Sequence, residues 1–496
     1  MRNVLKQMAR HALTQPETIA LADDDTTLTY RDLSRAISDL GAQIAAERVA
    51  VMMDNSVAWA VVDLTIAACG AVSIPVPAFF SDAQIEHLLS DAAPDLLISD
   101  RPTPPAVLSR TRYRKTISVA GTELHLLALE PGHPRTLPSD TGKITYTSGT
   151  TGQPKGVCIS YAAMDRVTES LADAASAQAG DRSLTVLPLS TLLANIGGIY
   201  VPLSRGATAL LPAMGRCGFS GSSAVQPQAF LGAFHRFAPT ATILVPQLLK
   251  LLVECVQAGN PLPPTLRFVA VGGAPCSAPL ILRARALGIP VFEGYGLSEA
   301  TSVISMNRPG RERPGSVGVP LPHAKVRIAD DGEIIVSGAL FGGYLGQYGP
   351  PIDAWHTGDT GWLDADGFLY VSGRKKTAFA TAFGRNVSPE WVESELVATR
   401  AVLQAAVFGE GRDYNVAVIV PAPGVSPGQI DDAIETANAR LPDYARVRSW
   451  CAAAAPFSPR DGLARPSGAL DRQAIATRYA TPLEALYERE APHVHS

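Results

Sequence analysis

The sequence predicts an α/β fold built on doubly wound parallel sheets and divided into more than one domain. Three observations lead there. Apolar strand-like runs alternate with helical ones from the start of the chain, and glycine-rich turns follow several of those strands. The length, 496 residues, exceeds what one hydrophobic core usually supports. A hydrophobic fraction of 46% against 18% charged residues belongs to a globular chain, and a net charge of −4 offers no footprint for nucleic acid. The longest apolar runs are broken by Asp63, Gly70 or Pro75, so no membrane span is expected. Met1 to Met8 lacks the apolar core of a signal peptide. The six cysteines, at 69, 158, 217, 255, 276 and 451, form no CxxC pair and suit a reduced compartment. The expected location is the cytoplasm.

Taken in order, Val4, Leu5, Met8 and Leu13 form the apolar face of a helix near residues 1–20. Leu28–Leu33 turns from strand into helix, Arg48–Met53 is a buried strand, Trp59–Ala68 is helical, and Gly70–Val76 is the next strand. Residues 99–140, rich in Pro, Arg and Ser, read as loop with short strands and one apolar run, Leu124–Leu129. A helix over Leu248–Val256 follows Thr242–Pro246. From Glu390 onward, helix, strand (Ala405–Phe408), strand (Val416–Val420) and helix describe a small α/β unit.

Four glycine-bearing motifs stand out; three carry chemistry by their own residues, and the Gly272-Gly273 turn, ordinary by itself, is informative only through the resemblance given below. The first is Tyr146-Thr147-Ser148-Gly149-Thr150-Thr151-Gly152-Gln153-Pro154-Lys155-Gly156, after the β-like run Ile144–Tyr146. Glycines let backbone approach a ligand closely, hydroxyls and free amides wrap phosphate oxygens, and the lysine adds a mobile positive charge. It reads as a triphosphate cradle. It is not the Walker pattern, since Gly156 rather than Ser or Thr follows the lysine. The second motif, Gly272-Gly273-Ala274-Pro275, ends the buried strand Arg267–Val271, where open α/β sheets place ligands. In the third, Glu293-Gly294-Tyr295-Gly296-Leu297-Ser298-Glu299, a ring between two glycines can lie flat on a purine. A carboxylate beside a phosphate site suits Mg²⁺, a cation that takes oxygen ligands. In the fourth, Trp355–Gly361, two glycines hold Asp359 on a tight turn fit for vicinal hydroxyls; Asp364 and Asp366 beyond it are turn formers.

These motifs, in this order, resemble those of the adenylate-forming superfamily: acyl-CoA synthetases, adenylation domains of non-ribosomal peptide synthetases, and firefly luciferase. The likeness spans essentially the whole chain, and Thr381–Glu390 is most similar to the long-chain fatty acyl-CoA synthetase-like group. It implies a large AMP-binding domain, residues 1–373, whose small β-barrel holds Gly315–Pro322 and Gly332–Gly338, and a small mobile lid domain, residues 374–496. It implies that ATP and a carboxylic acid give an acyl-adenylate and pyrophosphate. A thiol, of coenzyme A or of phosphopantetheine on an acyl carrier protein, then takes the acyl group. Thr150, Lys155 and Glu299 are the implied catalytic residues. Thr147, Ser148, Gly149, Thr151 and Gly152 are implied to cradle phosphate, with Ser298 near the α-phosphate. Gly273, Ala274, Gly294, Tyr295 and Gly296 are implied to surround the adenine, Asp359 and Arg374 to hold the ribose, and Thr147 and Glu299 to hold Mg²⁺. The hinge falls on Thr377 or Lys376, and Gly384 and Asn386 sit where relatives turn to face nucleotide and thiol. Leu192, Leu193, Ile196 and the Gly197-Gly198 pair border the implied acyl pocket and suit a fatty acid.

One family position fails. Relatives carry a lysine that touches the reacting carboxylate and α-phosphate; here Asp461–Arg472 places Ala469 there. Two readings stay open: a ligase, or a nucleotide- or acyl-adenylate-binding protein whose adenylation is weak or lost. Within the first, Arg465 or Arg472 can replace the missing charge, since guanidinium bridges carboxylate and phosphate oxygens. A kinase-type P-loop protein is disfavoured by Lys155-Gly156.

Overall fold

The computed structural model describes residues 1–78, 80–130, 132–147, 154–220, 224–347, 349–375, 377–382, 386–465 and 468–488. Two large sheets dominate it. In the nine-stranded sheet, Val291–Leu297, Phe268–Val271, Ala241–Leu244, Arg182–Thr185, Thr208–Leu210 and Ile19–Ala22 run parallel in that spatial order. The eight-stranded sheet centres on Arg48–Met52, flanked in parallel by Val72–Pro75 and Leu96–Ser99. The antiparallel pair Thr141–Thr147 and Lys155–Ser160 extends it, and the phosphate loop joins those two strands. The alternation of strand and helix is thus borne out, with both faces of the parallel strands covered.

Residues 99–140 differ from the expectation of short strands. Thr111–Val119 and Thr122–Leu129 form a hairpin of nine- and eight-residue strands on the sheet edge. The outer strand is exposed along most of its length, so it carries no alternating apolar signal to read.

Helix Val57–Ala68 explains how the sheets are joined. Ser56 caps it by accepting the Trp59 N–H, and ten of its twelve residues are buried. A helix apolar all round belongs in a core, and this core draws side chains from both large sheets. Its one charge, Asp63, is therefore fully enclosed. Lys143 Nζ donates to Asp63 Oδ1 at 2.6 Å, Ser73 Oγ to the same oxygen at 2.8 Å, and Asn195 Nδ2 to Oδ2 at 3.0 Å. The Tyr200 hydroxyl also donates to Oδ2. Tyr200 ends a π-helical turn, Ile196–Tyr200, inside an otherwise α-helical stretch. That turn packs tightly because it contains Gly197 and Gly198. A Cβ on either would come within 2.3 Å of Ile243 Cδ1 or 2.2 Å of Thr185 Oγ1. The glycine pair is filled by neighbours and does not itself open pocket space.

The implied small barrel region takes the form of a four-stranded antiparallel sheet, Ala324–Ile328, Glu333–Gly338, Trp355–Leu363 and Leu369–Arg374. The C-terminal unit is a three-stranded sheet of Val402–Phe408, Asn415–Pro421 and Val447–Ala452. Helices Pro389–Val397 and Pro427–Asn438 pack on one face with Ala405, Val407, Ala417 and Ile419. Arg472–Arg478 and Ala480–Glu488 pack on the other with Ala406, Val416 and Val418. Successive residues point to opposite faces of a strand, so both faces are apolar. Among the described residues no helix is long and apolar enough to cross a membrane.

Burial pushes the Asp63 carboxyl up, but the Lys143 charge and the hydrogen bonds from Lys143, Tyr200 and Asn195 outweigh it, leaving the group below the usual carboxylate range. A carboxylate so depressed stabilises the fold above its unfolded pKa and loses that contribution as pH falls through the folded value. Lys143→Met is expected to cost about 3–5 kcal/mol, because it strands a buried charge. Adding Asp63→Asn to it should restore part of the loss. Urea unfolding midpoints decide, and a single variant as stable as wild type would remove the pair from the core argument.

Candidate functional site

Strand Val291–Leu297 brings the site together. It pairs with Phe268–Val271 on one side and, antiparallel, with Ser302–Met306 on the other. Gly296 cannot carry a side chain, since a Cβ would lie 1.6 Å from the Ser302 carbonyl oxygen; at Gly294 it would lie 3.1 Å from that of Ser305. Between them, the Tyr295 hydroxyl donates to Asp359 Oδ2 at 2.6 Å. Arg374 Nε meets Asp359 Oδ1 at 2.8 Å from the register position directly across the sheet. The three residues assigned to adenosine are thus in contact. Asp359 is 4% exposed, and burial raises its carboxyl above the usual range although Arg374 and Tyr295 oppose the shift. Burial, then Asp359, lifts the Tyr295 hydroxyl well above its ordinary value, so it stays a donor. Gly273 and Ala274 form the exposed turn at the end of the neighbouring strand. Its first residue, Gly272, abuts Gly294, where a Cβ would come within 2.9 Å of the carbonyl oxygen.

Glu299 sits just beyond, on the single 3₁₀ turn Ser298–Ala300. The backbone after it is held at φ +56° for Thr301 and +92° for Ser302, values rare outside glycine and costly unless the surroundings enforce them. The Tyr344 hydroxyl donates to Glu299 Oε1 at 2.7 Å, and the Phe341 N–H to the Glu299 carbonyl at 2.9 Å. Lys155 Nζ stands 5.4 Å from the Tyr344 ring centroid. Thr147 pairs with Lys155 at the base of the phosphate loop. Ser148, Gly149, Thr150, Thr151 and Gly152 lie outside the described residues, as do Lys376 and Gly384. Asn386 opens the short strand Asn386–Val387, and Thr377 donates its N–H to the Arg374 carbonyl at 3.2 Å.

Glu299 keeps Oε2 without a partner among the described residues, and no trio of His, Cys, Asp or Glu gathers there to hold a metal. The free Oε2 suits Mg²⁺, which uses one or two carboxylates together with phosphate oxygens and water.

Two residues escaped sequence reasoning. Tyr344 links the lysine of the first motif to the glutamate of the third; its signal was an aromatic after Gly342-Gly343. Glu333, 7% exposed, accepts from the Gly358 N–H at 2.9 Å, His356 Nδ1 at 3.0 Å and Lys375 Nζ at 3.0 Å. It fixes the turn that presents Asp359 and ties it to the residue after Arg374.

The hairpin around Ala469 separates the two candidate arginines. Arg472 is held by Glu390 at 3.0 Å and by Glu393, within the C-terminal unit. Arg465 faces Ala469 across the hairpin, donating its N–H to the Ala469 carbonyl at 2.7 Å, and its guanidinium has no partner among the described residues. Ala469 itself is exposed.

Losing a charged hydrogen-bond acceptor costs about 1.5–3 kcal/mol, so Glu333→Ala is expected to weaken ATP binding about tenfold or more by calorimetry. Unchanged affinity would show that Asp359 holds its place without Glu333.

The AMP-binding enzyme family model matches residues 8–345, and the AMP-binding enzyme C-terminal domain model matches residues 378–491. The chain is 27% identical to the long-chain-fatty-acid–CoA ligase FadD15 of Mycobacterium bovis, over 93% of this chain and 91% of that one. It is 28% identical to a feruloyl-CoA synthase of Amycolatopsis, over 88% and 92%. Its fold matches that of the anthranilate CoA ligase AuaEII in complex with anthranoyl-AMP (TM-score 0.80, 20% identity, 97% and 98% covered). It also matches o-succinylbenzoate CoA synthetase from Bacillus subtilis (TM-score 0.76, 23% identity, 95% and 97% covered). With a family model covering more than half its length, the chain belongs to the AMP-binding enzyme family, the adenylate-forming superfamily.

Proposed function

We propose that this ligase activates an apolar carboxylic acid, a fatty acid in the first instance, and transfers the acyl group to coenzyme A in the cytoplasm. The observation that carries the reading is the convergence of two clusters at one strand end. Tyr295–Asp359–Arg374 and Lys155–Tyr344–Glu299 both depend on the stretch 295–299, and the Glu299 charge acts on Asp359. Asp359 and Arg374 hold the ribose, Tyr295 and the Gly273-Ala274 turn flank the adenine, and Lys155 with the loop residues 147–152 neutralises phosphate. Glu299 and Thr147 hold Mg²⁺, which when bound screens the phosphate charge. The protein's part is positioning and electrostatic stabilisation. The lid begins at 374, at the end of strand Leu369–Arg374.

Relatives named as CoA ligases support coenzyme A over a carrier protein, and FadD15 supports a fatty acid. Of the residues read as bordering the acyl pocket, Leu192 and Ile196 are buried in the core and Leu193 packs half-buried against it, so the apolar acid rests on the relatives. An aryl acid is the second reading, favoured by the feruloyl-CoA synthase relatives. A protein that only binds nucleotide or acyl-adenylate is the third, and the uncharged Ala469 favours it.

A pyrophosphate-release screen over fatty, aryl and amino acids, with coenzyme A or a carrier protein as acceptor, tests the reading. Fatty acids should give the highest kcat/KM, rising with chain length by about 0.8 kcal/mol per buried CH₂. An aryl acid at the top would move the assignment to the second reading, and no release with any acid would move it to the third.

The charge missing at Ala469 is assigned to Arg465. Removing one transition-state charge typically costs about two to three powers of ten. Arg465→Ala should lower acyl-adenylate formation on that scale and leave thiol transfer from supplied acyl-adenylate within a few-fold. Equal loss in both half-reactions, or none, would discard the assignment. In the latter case Ala469→Lys becomes the gain-of-charge variant to assay.

A further inference from the structure

Beside the base of the phosphate loop lies a cavity of about 220 Å³, bounded by His87, Asp91, Arg135, Lys155, Tyr344 and Gln347 among others. Apart from Lys155 and Tyr344, none of these residues has a part in the readings above. We propose that the cavity is a holding site for inorganic pyrophosphate after its release from the nucleotide. The proposal rests on the adenylation reading, which makes pyrophosphate the product formed next to Lys155.

The walls are arranged for a compact anion. Asp91, 8% exposed, is the one carboxylate among the six residues named, and both its oxygens are in use. Oδ1 pairs with Arg135 Nε at 2.9 Å, and Oδ2 accepts the Tyr146 hydroxyl at 2.9 Å. Asp91 therefore aims the guanidinium and offers little free charge of its own. The two terminal nitrogens of Arg135 have no protein partner among the described residues. Guanidinium is well suited to phosphate oxygens because its donors lie in a planar fork.

The backbone opposite makes room for it. Gly346 adopts φ +75°, and a Cβ there would lie 2.6 Å from Arg135 Cδ and 2.9 Å from its Nη1. Any other residue would push the guanidinium out of the cavity wall.

Lys155 supplies the second cation. It makes no ion pair among the described residues, and its ammonium is poised over the Tyr344 ring. It belongs both to the phosphate loop and to this cavity, so an anion can pass from one to the other without leaving its charge. His87 Nε2 donates to the Pro154 carbonyl at 3.0 Å and fastens the stem of the loop to helix Asp82–Ala92. Tyr344 separates the cavity from Glu299, whose carboxylate would repel a departing polyanion. Two cations with free donors and one neutralised carboxylate describe a phosphate-type ligand rather than the acid substrate.

The phosphates of coenzyme A share this chemistry, so the test includes 3′,5′-ADP as their surrogate. Gln347 is the variant position of choice: its side chain is exposed, has no partner among the described residues, and only its backbone N–H is used, donating to the Tyr344 carbonyl at 3.0 Å. Calorimetry on the full-length protein measures binding of inorganic pyrophosphate and of 3′,5′-ADP, and steady-state kinetics gives the pyrophosphate inhibition constant and KM for ATP. One added like charge in the cavity should weaken pyrophosphate about tenfold in Gln347→Glu, and Gln347→Lys should tighten it several-fold. KM for ATP should stay within about twofold and 3′,5′-ADP binding should not move. Pyrophosphate binding indifferent to both substitutions, or a shift in 3′,5′-ADP instead, overturns the proposal while leaving adenylation standing. A wild-type protein that binds pyrophosphate with this charge dependence yet releases none with any acid overturns the adenylation reading, and with it the role as a product site.

Discussion

The Asp63 carboxylate is the constraint on which the placement of the site depends. Its four donors come from three separate parts of the chain: Ser73, Lys143, and the helical stretch that carries both Asn195 and Tyr200. Lys143 lies on the strand that delivers Thr147 to the phosphate loop, and Ser73 pairs with Lys143 in the sheet. A shift of that strand by one residue would send Lys143 to the opposite face and leave the carboxylate uncompensated. The base of the loop is therefore registered against the core from behind. Buried ion pairs contribute little net stability compared with apolar replacements, so specificity of register is the more fitting account here.

A triphosphate site that uses carboxylates has to keep them from repelling the substrate, and each acidic group is handled differently. Asp359 is clamped between Arg374 and Tyr295, which leaves a carboxylate whose charge is already countered. Glu299 is half committed to a hydroxyl and keeps one oxygen free. Glu333 is spent on the backbone and on two cationic or protonatable partners, His356 and Lys375. Glu293, two residues before Tyr295, is enclosed and pushed up to about 8 by burial, with one backbone hydrogen bond from Cys276 opposing the shift. At neutral pH that group stays largely protonated, so it adds little negative charge behind the adenosine side.

Much of this was legible in the sequence because the signals are local. A glycine that follows an apolar strand marks a close approach whatever its partner, and that logic singled out Tyr295, Glu299, Asp359 and Lys155, which the fold gathers into two contact networks. The partners were not legible where they come from far along the chain. Asp63 in an apolar helix gives no sign that the answering lysine is Lys143, and Glu333 reads as an ordinary strand residue until Gly358 is placed above it. Gly197-Gly198 shows the opposite failure. The pair has the look of pocket-forming residues, yet its small size serves a helix packed hard against Ile243 and Thr185. Thr111–Val119 was hidden because an edge strand exposed on both faces has no periodicity.

Tyr344 has a further consequence, because it does not stand alone. Its ring lies 5.1 Å from that of Phe341 and 6.1 Å from Trp355, and Phe341 and Trp355 are 4.8 Å apart. The same tyrosine touches Glu299 through its hydroxyl and Lys155 through its face. Any rearrangement of those two charges is thus felt within one ring's distance of an indole. The other four indoles are placed differently: Trp59 is sealed in the core, Trp362 stacks on Tyr370, Trp391 packs against the core of the C-terminal unit, and Trp450 donates to Asp431. The cleft carries its own optical probe, and Trp355 emission reports on the phosphate side without any label being attached.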